Sequence, residues 1–336
     1  MKLNEFSYDL PSELIAQYPL QNREDAKLLI IDRQTQTLRH DIFKNIDQYI
    51  PSPTLIILNN SRVVHARLLG EKESTQGKVE VFLLNKCRDD YHYEVLMKPM
   101  KRLKNGDVIR FGKEKISAEI VDRDQKIVRF NQKNIDHYLE KNGHIPLPPY
   151  IKRSDEAIDR THYQTVYAQE SGSVAAPTAG LHFSQPLLDK LKKAGNQIEE
   201  VTLHINYGTF KPVEENDISK HHMHTEQYQV NKSVYQSLVK AKKSEIPVVA
   251  VGTTSARVIE SLAQDKPLTG ETDIFIYPGI KFKWVDMLLT NFHLPYSTLL
   301  MLVYAFGGTE LMKKAYAEAI KNKYRFYSYG DAMLII

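Results

Sequence analysis

The sequence predicts an α/β fold: a larger α/β domain interrupted by a small antiparallel β domain. Three observations predict it. In the first sixty residues and again in the second half, short β-type apolar runs alternate with helical stretches. Between residues 65 and 150 the texture changes to short strand-like pieces separated by polar turns at Asp89-Asp90, Asn105-Gly106 and residues 122–124. The stiff Pro146-Leu147-Pro148-Pro149 then closes that stretch, and α/β texture returns. A chain of 336 residues is long enough for a full core and for one or two domains. The expected division is a discontinuous domain of residues 1–64 and 151–336, with residues 65–150 inserted as a small antiparallel barrel or sandwich.

Taken in order, Asp9 or Ser12 caps a short helix carrying Leu14, Ile15 and Tyr18. Residues 28–31 and 55–58 are apolar runs of buried-strand type. In the inserted stretch, residues 78–84, 91–97, 108–111, 115–121 and 126–130 read as strands, and residues 135–141 as a helical turn. Farther on, residues 198–205, 248–251 and 272–277 read as strands, and residues 232–243, 254–264 and 310–321 as helices. A final strand starts at Tyr324. Ser184 is suited to cap a helix with Pro186 in its first turn, a Leu187, Leu188 and Leu191 stripe, and Gly195 at its end. Of the 15 glycines, ten lie beyond residue 170, most of them between strand and helix signals, where ligand-lining loops occur.

Charge and cysteine content narrow the function. Residues 65–150 hold 17 Lys+Arg against 13 Asp+Glu, so the chain's whole formal excess of +4 falls in the inserted stretch. That is where a polyanionic partner would bind, although an ordinary solvated surface also fits. With one cysteine, Cys87, there is no internal disulfide and no cysteine-rich metal site. Lys2, Glu5 and Asp9 interrupt any secretory leader, and the apolar run at residues 299–306 is too short for a bilayer. The expectation is a cytoplasmic monomer with no membrane partner.

Five stretches carry residue types suited to chemistry. Gly172-Ser173-Val174-Ala175-Ala176-Pro177-Thr178-Ala179-Gly180-Leu181-His182-Phe183 is uncharged and made mostly of small residues, yet it offers hydroxyls and an imidazole. Small side chains let backbone approach either a ligand or a crossing element. Asn59-Asn60-Ser61-Arg62 ends a strand, and reads as a ligand-facing edge or as a plain turn. Val251-Gly252-Thr253-Thr254-Ser255 joins a strand to a helix with Thr253 as the expected N-cap. Its free N–H groups and Arg257, one turn on, would suit a carboxylate or phosphate, unless this is only a capped helix.

His221-His222-Met223-His224-Thr225-Glu226 is the densest imidazole cluster. If extended, it places His222, His224 and Glu226 on one face, for acid/base work, for a metal, or merely to bond a neighbouring loop. No cysteine and no His-Glu-x-x-His helix supports the metal reading. Lys98, Lys101, Arg102, Lys104, Arg110, Lys113 and Lys115 lie near Tyr91, Tyr93 and Phe111, a pattern for RNA backbone and bases or for a protected strand edge.

Several of these blocks, in their order along the chain, carry a family resemblance. They are Asp9-Leu10-Pro11 with Leu14-Ile15-Ala16-Gln17, Lys98-Pro99 with Lys101-Arg102, Ile145-Pro146-Leu147-Pro148-Pro149-Tyr150 and Tyr163-Gln164-Thr165-Val166-Tyr167-Ala168. After the Gly172 loop come His222-Met223-His224, Val251-Gly252-Thr253-Thr254-Ser255, Leu289-Thr290-Asn291-Phe292-His293-Leu294-Pro295 and Ser328-Tyr329-Gly330-Asp331-Ala332-Met333. The set resembles the S-adenosylmethionine:tRNA ribosyltransferase-isomerase family of queuosine biosynthesis. Asn60 stands where that family's pattern has an aspartate, and Asn206-Tyr207 where it has Gly-Ala.

The resemblance implies a barrel-like sheet in the larger α/β domain and a small inserted β-barrel. It implies transfer of the ribosyl part of S-adenosylmethionine to 7-aminomethyl-7-deazaguanine at a tRNA wobble position, with adenine and methionine leaving and the ribose isomerising to the epoxycyclopentane of epoxyqueuosine. S-adenosylmethionine is then a consumed co-substrate, and neither a metal nor another cofactor is expected. The chemistry needs a base beside the sulfonium, an acid for departing adenine, and donors for the opened ribose. His182, His224, Glu226 and Asp331 are the acid/base candidates. Asn59, Arg62, Lys98, Lys101, Arg102, Thr178, Thr253, Thr254 and Arg257 are the expected substrate-binding residues. Two rivals on the residues alone are a metal-dependent hydrolase using His221 to Glu226, and a non-catalytic RNA-binding module using the basic insert.

Overall fold

The computed structural model describes residues 1–87, 89–112, 116–206, 213 and 215–336. The chain divides into two compact units. The larger comprises Met1–Arg62, Pro148–Arg153 and Thr161–Ile336; the smaller comprises Val63–Leu147 and Ser154–Arg160. Residues 154–160 belong with the small unit because Asp155 accepts hydrogen bonds from Ile145 N (3.0 Å) and His144 Nδ1 (2.9 Å), and Arg160 donates to the Gly143 carbonyl.

The small unit is a closed six-stranded antiparallel barrel. Its strands are Arg67–Lys72, Lys78–Lys86, His92–Lys98, Val108–Phe111, Ile116–Asp122 and Ile127–Phe130. Closure leaves no strand edge exposed, and alternate residues fill the interior. Val81, Val95, Ile109, Phe111, Ala118, Ile120, Val128 and Phe130 are all fully buried there. The sequence reading missed Arg67–Lys72, whose alternation is broken by Gly70. That glycine is required, since a Cβ there would lie 2.6 Å from the Arg110 carbonyl.

The large unit is built on a nine-stranded sheet. In spatial order its strands are Thr269–Thr272, Glu226–Gln229, Gln197–Leu203, Leu55–Asn59, Val248–Val251, Met287–Asn291, Ala332–Ile335, Lys27–Asp32 and Thr37–Ile42. The Gln197, Leu55, Val248 and Met287 strands run parallel, and all five residues of the Leu55 and Met287 strands are buried. Such continuous apolar runs mark strands covered on both faces. One face packs against helices Lys232–Lys243, Gly252–Leu262, Thr298–Gly307 and Thr309–Lys321; the other against Gln185–Lys193 and the turn Phe43–Gln48.

Several expectations shift. The Gly252 helix starts at Gly252 itself, which holds a positive φ of 88°, so Thr253 is in its first turn rather than at its N-cap. The strand expected at residues 272–277 lies earlier, at Thr269–Thr272, where it pairs with Glu226–Gln229. The expected helix at Ser12 is a single 3-10 turn, Ser12–Leu14. The last strand begins at Ala332, not Tyr324, because residues 325–331 fold back on themselves. Asp331 accepts from the backbone N–H of Arg325 (2.8 Å) and Lys27 (3.1 Å), and Gly330 presses on the Arg325 carbonyl. Ser184 caps its helix as expected, accepting from Leu187 N at 3.2 Å, and Gly195 follows with φ 97°.

Candidate active site

The parallel strands deliver their C-terminal ends to one place, where ligands of open α/β sheets bind. A cavity of about 270 Å³ opens there. The Val248 strand runs into Gly252, Thr253 and Thr254, and the Met287 strand runs into Asn291, Phe292 and His293; both series line the cavity. A third wall is the small-residue loop, Ala175 to Ala179. It enters a 3-10 turn, Thr178–His182, that packs on the Gly252 helix and the Met287 strand. Close approach depends on small side chains. A Cβ on Gly180 would lie 1.9 Å from the Tyr167 hydroxyl, and Ala179 sits 3.7 Å from the Cβ position of Gly252.

Asn291 organises the polar part. Its Oδ1 accepts from Thr178 Oγ1 (3.0 Å), and its Nδ2 donates to His182 Nε2 (3.2 Å) and the Tyr327 carbonyl (3.2 Å). This leaves the His182 ring proton on Nδ1. Burial first, then the Arg325 and Arg23 cations, push the His182 pKa down to about 3. Burial does the same to His293, also to about 3. Both imidazoles are therefore neutral at working pH, and neither has an imidazolium proton to give.

Two residues of the cavity wall each carry a buried polar atom with no hydrogen-bond partner among the described residues: Thr254 Oγ1 and His293 Nδ1. The His293 ring is held at its other nitrogen by Thr290 Oγ1 (3.3 Å), and its backbone by the Tyr316 and Tyr8 hydroxyls. Unsatisfied buried polar atoms are costly and uncommon, so two of them on residues that line one cavity make that cavity the candidate ligand site. Among the described residues, no charged side chain lines the cavity. Tyr150 lies on its rim with its hydroxyl 2.5 Å from Ser328 Oγ, and burial raises its pKa to about 12.

Of the sequence candidates, Thr178, Thr253 and Thr254 line this cavity and His182 stands directly behind it. The others lie elsewhere. Arg257, expected to hold substrate, does not line the cavity: it forms a buried ion pair with Glu226 and donates to the carbonyls of Ile274 and Thr272 (3.3 Å each). Glu226, 2 % exposed, is thereby fixed as a structural counter-ion, and its second oxygen accepts from Asn206 N. The extended face expected at His222, His224 and Glu226 does not form, because the strand begins only at Glu226. His222 and His224 are exposed, and His221 pairs with Glu215 (3.0 Å).

Asp331 is buried, its pKa raised chiefly by that burial, and its oxygens hold the Arg325 turn rather than face the cavity. Asn59 is buried and occupied with both backbone groups of Leu203 and with Ser61 N. Arg62 is exposed. Lys98, Lys101 and Arg102 are exposed on the small barrel. Lys113, Lys115 and Tyr207 lie outside the described residues, as does the Gly208-Thr209-Phe210 stretch.

His293 and Asn291 are the site residues that the sequence reading did not single out, although the Leu289 to Pro295 block contains both. Their position at a strand's C-terminal end is visible only once the Met287–Asn291 strand is placed in the sheet. Among the described residues, no group of three or more His, Cys, Asp or Glu is placed to hold a metal ion.

The family model described as queuosine biosynthesis protein matches residues 3–335. A curated relative from Sulfurihydrogenibium sp., named S-adenosylmethionine:tRNA ribosyltransferase-isomerase, is 48% identical over 338 residues and covers 100% of both chains. One of the same name from Natranaerobius thermophilus is 48% identical over 343 residues, covering 100% of this chain and 99% of its own. Among solved structures, the S-adenosylmethionine tRNA ribosyltransferase of Thermotoga maritima matches at TM-score 0.57 and 35% identity, covering 99% of this chain and 100% of its own.

Proposed function

Because this chain belongs to the queuosine biosynthesis protein family and acts as a tRNA ribosyltransferase-isomerase, we propose that the cavity at the strand ends is where that reaction is carried out. The ribosyl donor is S-adenosylmethionine, consumed as a co-substrate without a metal or other cofactor. The acceptor is 7-aminomethyl-7-deazaguanine at the wobble position of tRNA. The observation that carries this reading is the pair of unpartnered buried atoms, Thr254 Oγ1 and His293 Nδ1, on an otherwise uncharged wall.

An uncharged, largely apolar cavity suits a sulfonium donor. Water exclusion and low local dielectric raise the reactivity of a cation whose neighbouring C–H bonds are already acidified. Thr254 and His293 offer hydrogen bonds to the uncharged nucleoside portion, and the Thr178–Asn291 hydrogen bond ties the small-residue loop to the Met287 strand end. The neutral imidazole of His293 accepts or donates at Nδ1 according to its tautomer, and so assists a departing base by hydrogen bonding rather than as an imidazolium. Adenine and methionine leave, and the ribose closes to the epoxycyclopentane.

The exposed Lys98, Lys101 and Arg102 of the small barrel contact the tRNA backbone. The protein works as a cytoplasmic monomer; no helix among the described residues is long and apolar enough to cross a membrane. The test is adenine release from S-adenosylmethionine, which should occur only with tRNA bearing the modified base. Release with unmodified tRNA, or none with modified tRNA, overturns the reading. For the RNA arm, Lys101→Ala with Arg102→Ala should lower the salt dependence of tRNA binding by roughly one to two units of log–log slope; an unchanged slope removes these residues from the interface.

A further inference from the structure

Beside the main cavity lies a smaller one of about 30 Å³, and the two share Ser328 as a wall. They are linked also through the Asn291–His182 hydrogen bond, since Asn291 lines the first and His182 the second. Their chemistry differs sharply. The main cavity has no charged lining among the described residues, whereas the annex is lined by Arg23 and Arg325.

The two arginines are committed to different degrees. Arg23 is tied down by the carbonyls of Gln164 (2.7 Å), Leu181 (3.3 Å) and Thr161. Arg325 makes one long hydrogen bond, from Nη1 to the Tyr18 carbonyl (3.3 Å), and its Nε stands 3.6 Å from Asp331 Oδ1. Asp331 offsets one of the two positive charges and orients the guanidinium from its Nε side; Nη2 has no partner among the described residues. A partly exposed guanidinium, with 28% of its side chain accessible and donors to spare, lines an annex sized for about two or three heavy atoms, and that is a site for a small anion. The depressed pKa of His182, which the two arginines deepen, reports the same positive field.

We propose that this annex is the carboxylate subsite for the amino-acid end of the sulfonium donor, with Arg325 as the direct ligand and Arg23 as a second, fixed cation. The inference rests on the reading of S-adenosylmethionine as co-substrate. That molecule carries one carboxylate at the end of a short flexible chain, and the cavity that suits its nucleoside has no cation among its described lining residues to pair with it. The annex places a cation next door, one shared wall residue away.

The test compares S-adenosylmethionine with its decarboxylated analogue in steady-state assays at saturating modified tRNA. The parent enzyme should show a KM about 10- to 150-fold higher for the analogue, the scale of a lost charge-assisted hydrogen bond. In Arg325→Gln the KM for S-adenosylmethionine should rise to meet that of the analogue, so discrimination collapses to about one, while the KM for tRNA stays put. A parent that takes both donors within two-fold overturns the proposal without any variant. So does an Arg325→Gln enzyme that keeps the parent's ratio; if its tRNA KM rises instead, the annex holds a tRNA phosphate. A parent that consumes no S-adenosylmethionine at all overturns the underlying reading, a result distinct from each of these.

Discussion

The loop from Gly172 to Phe183 and the segment from His221 to Glu226 look, as sequence, like opposites. The first is small and uncharged; the second is the chain's richest concentration of ionisable groups. The structure inverts the obvious ranking. The small-residue loop is a wall of the main cavity, while in the histidine segment His222 and His224 are exposed, His221 pairs with Glu215, and Glu226 is buried against Arg257. The difference is one of geometry. Small side chains are needed where backbone must approach a helix start and a strand end within van der Waals distance, and that crowding is what makes a closed site. The imidazoles of the other stretch lie on irregular backbone, where two are exposed and the third is held by Glu215.

The sharpest way to test that inversion is to break the pair that looked like chemistry. Glu226→Ala or Arg257→Ala leaves a buried charge without its partner and should cost about 3–5 kcal/mol of stability. Chemical denaturation of each variant checks this. At low temperature the surviving folded enzyme should keep its KM for both substrates. If Arg257→Ala is fully stable yet raises the donor's KM, the arginine binds substrate after all and the contrast fails.

The next effect is on the cavity side. His182 and His293 stay neutral in the folded protein down to about pH 3, whereas an unfolded histidine takes up a proton below about pH 6.5. The folded pKa is depressed, so this stabilisation is complete above pH 6.5 and is lost as pH falls towards 3. Each residue should steepen the acid loss by about 1.4 kcal/mol per pH unit in that window. Urea titrations from pH 6.5 to 4 check it: His182→Gln and His293→Gln should each flatten the slope by one proton. A slope indifferent to both substitutions would mean that these rings protonate in the folded state and could serve as acids.

The two regions also mark how far the sequence could be read. Five of the six barrel strands and the Leu55 and Val248 strands were legible because period-two alternation and fully apolar runs are local signals; Arg67–Lys72 was missed. The Met287 strand was not: Met-Leu-Leu lacks β-branched residues, and a run that short does not separate strand from helix. At the site, Thr178, Thr253 and Thr254 were legible from the turns that carry them. The commitment of Arg257 to Glu226, 31 positions earlier, depends on strand pairing that no local pattern encodes. His293 was passed over because a lone histidine carries no signal until its neighbours leave one nitrogen unbonded.

A smaller effect sharpens the cavity side. Thr254→Val keeps the branched shape and removes a buried hydroxyl that has no partner among the described residues. Removing an unsatisfied group should leave stability unchanged or slightly higher. The lost contact to the donor should raise its KM by roughly 2- to 10-fold, the range of a neutral hydrogen bond worth about 0.5–1.5 kcal/mol. A drop in stability with normal kinetics would mean that the hydroxyl serves the fold.

The smallest expected effect is the one that most directly tests the ranking. His224 is exposed, and the strand that would have aligned it with Glu226 starts one residue after Thr225. Nothing in its surroundings depends on its ring, so His224→Ala should change stability by less than about 0.5 kcal/mol, the range for surface positions. Turnover should stay within a few-fold of the parent, because an acid or base must sit within hydrogen-bond reach of the proton it moves. Single-turnover rates beside a melting curve give both numbers. The informative failure is a rate that falls by two orders of magnitude at unchanged stability. That would require the segment after His221 to reorganise over the bound substrate, and the histidine-rich stretch would then be a working part of the site.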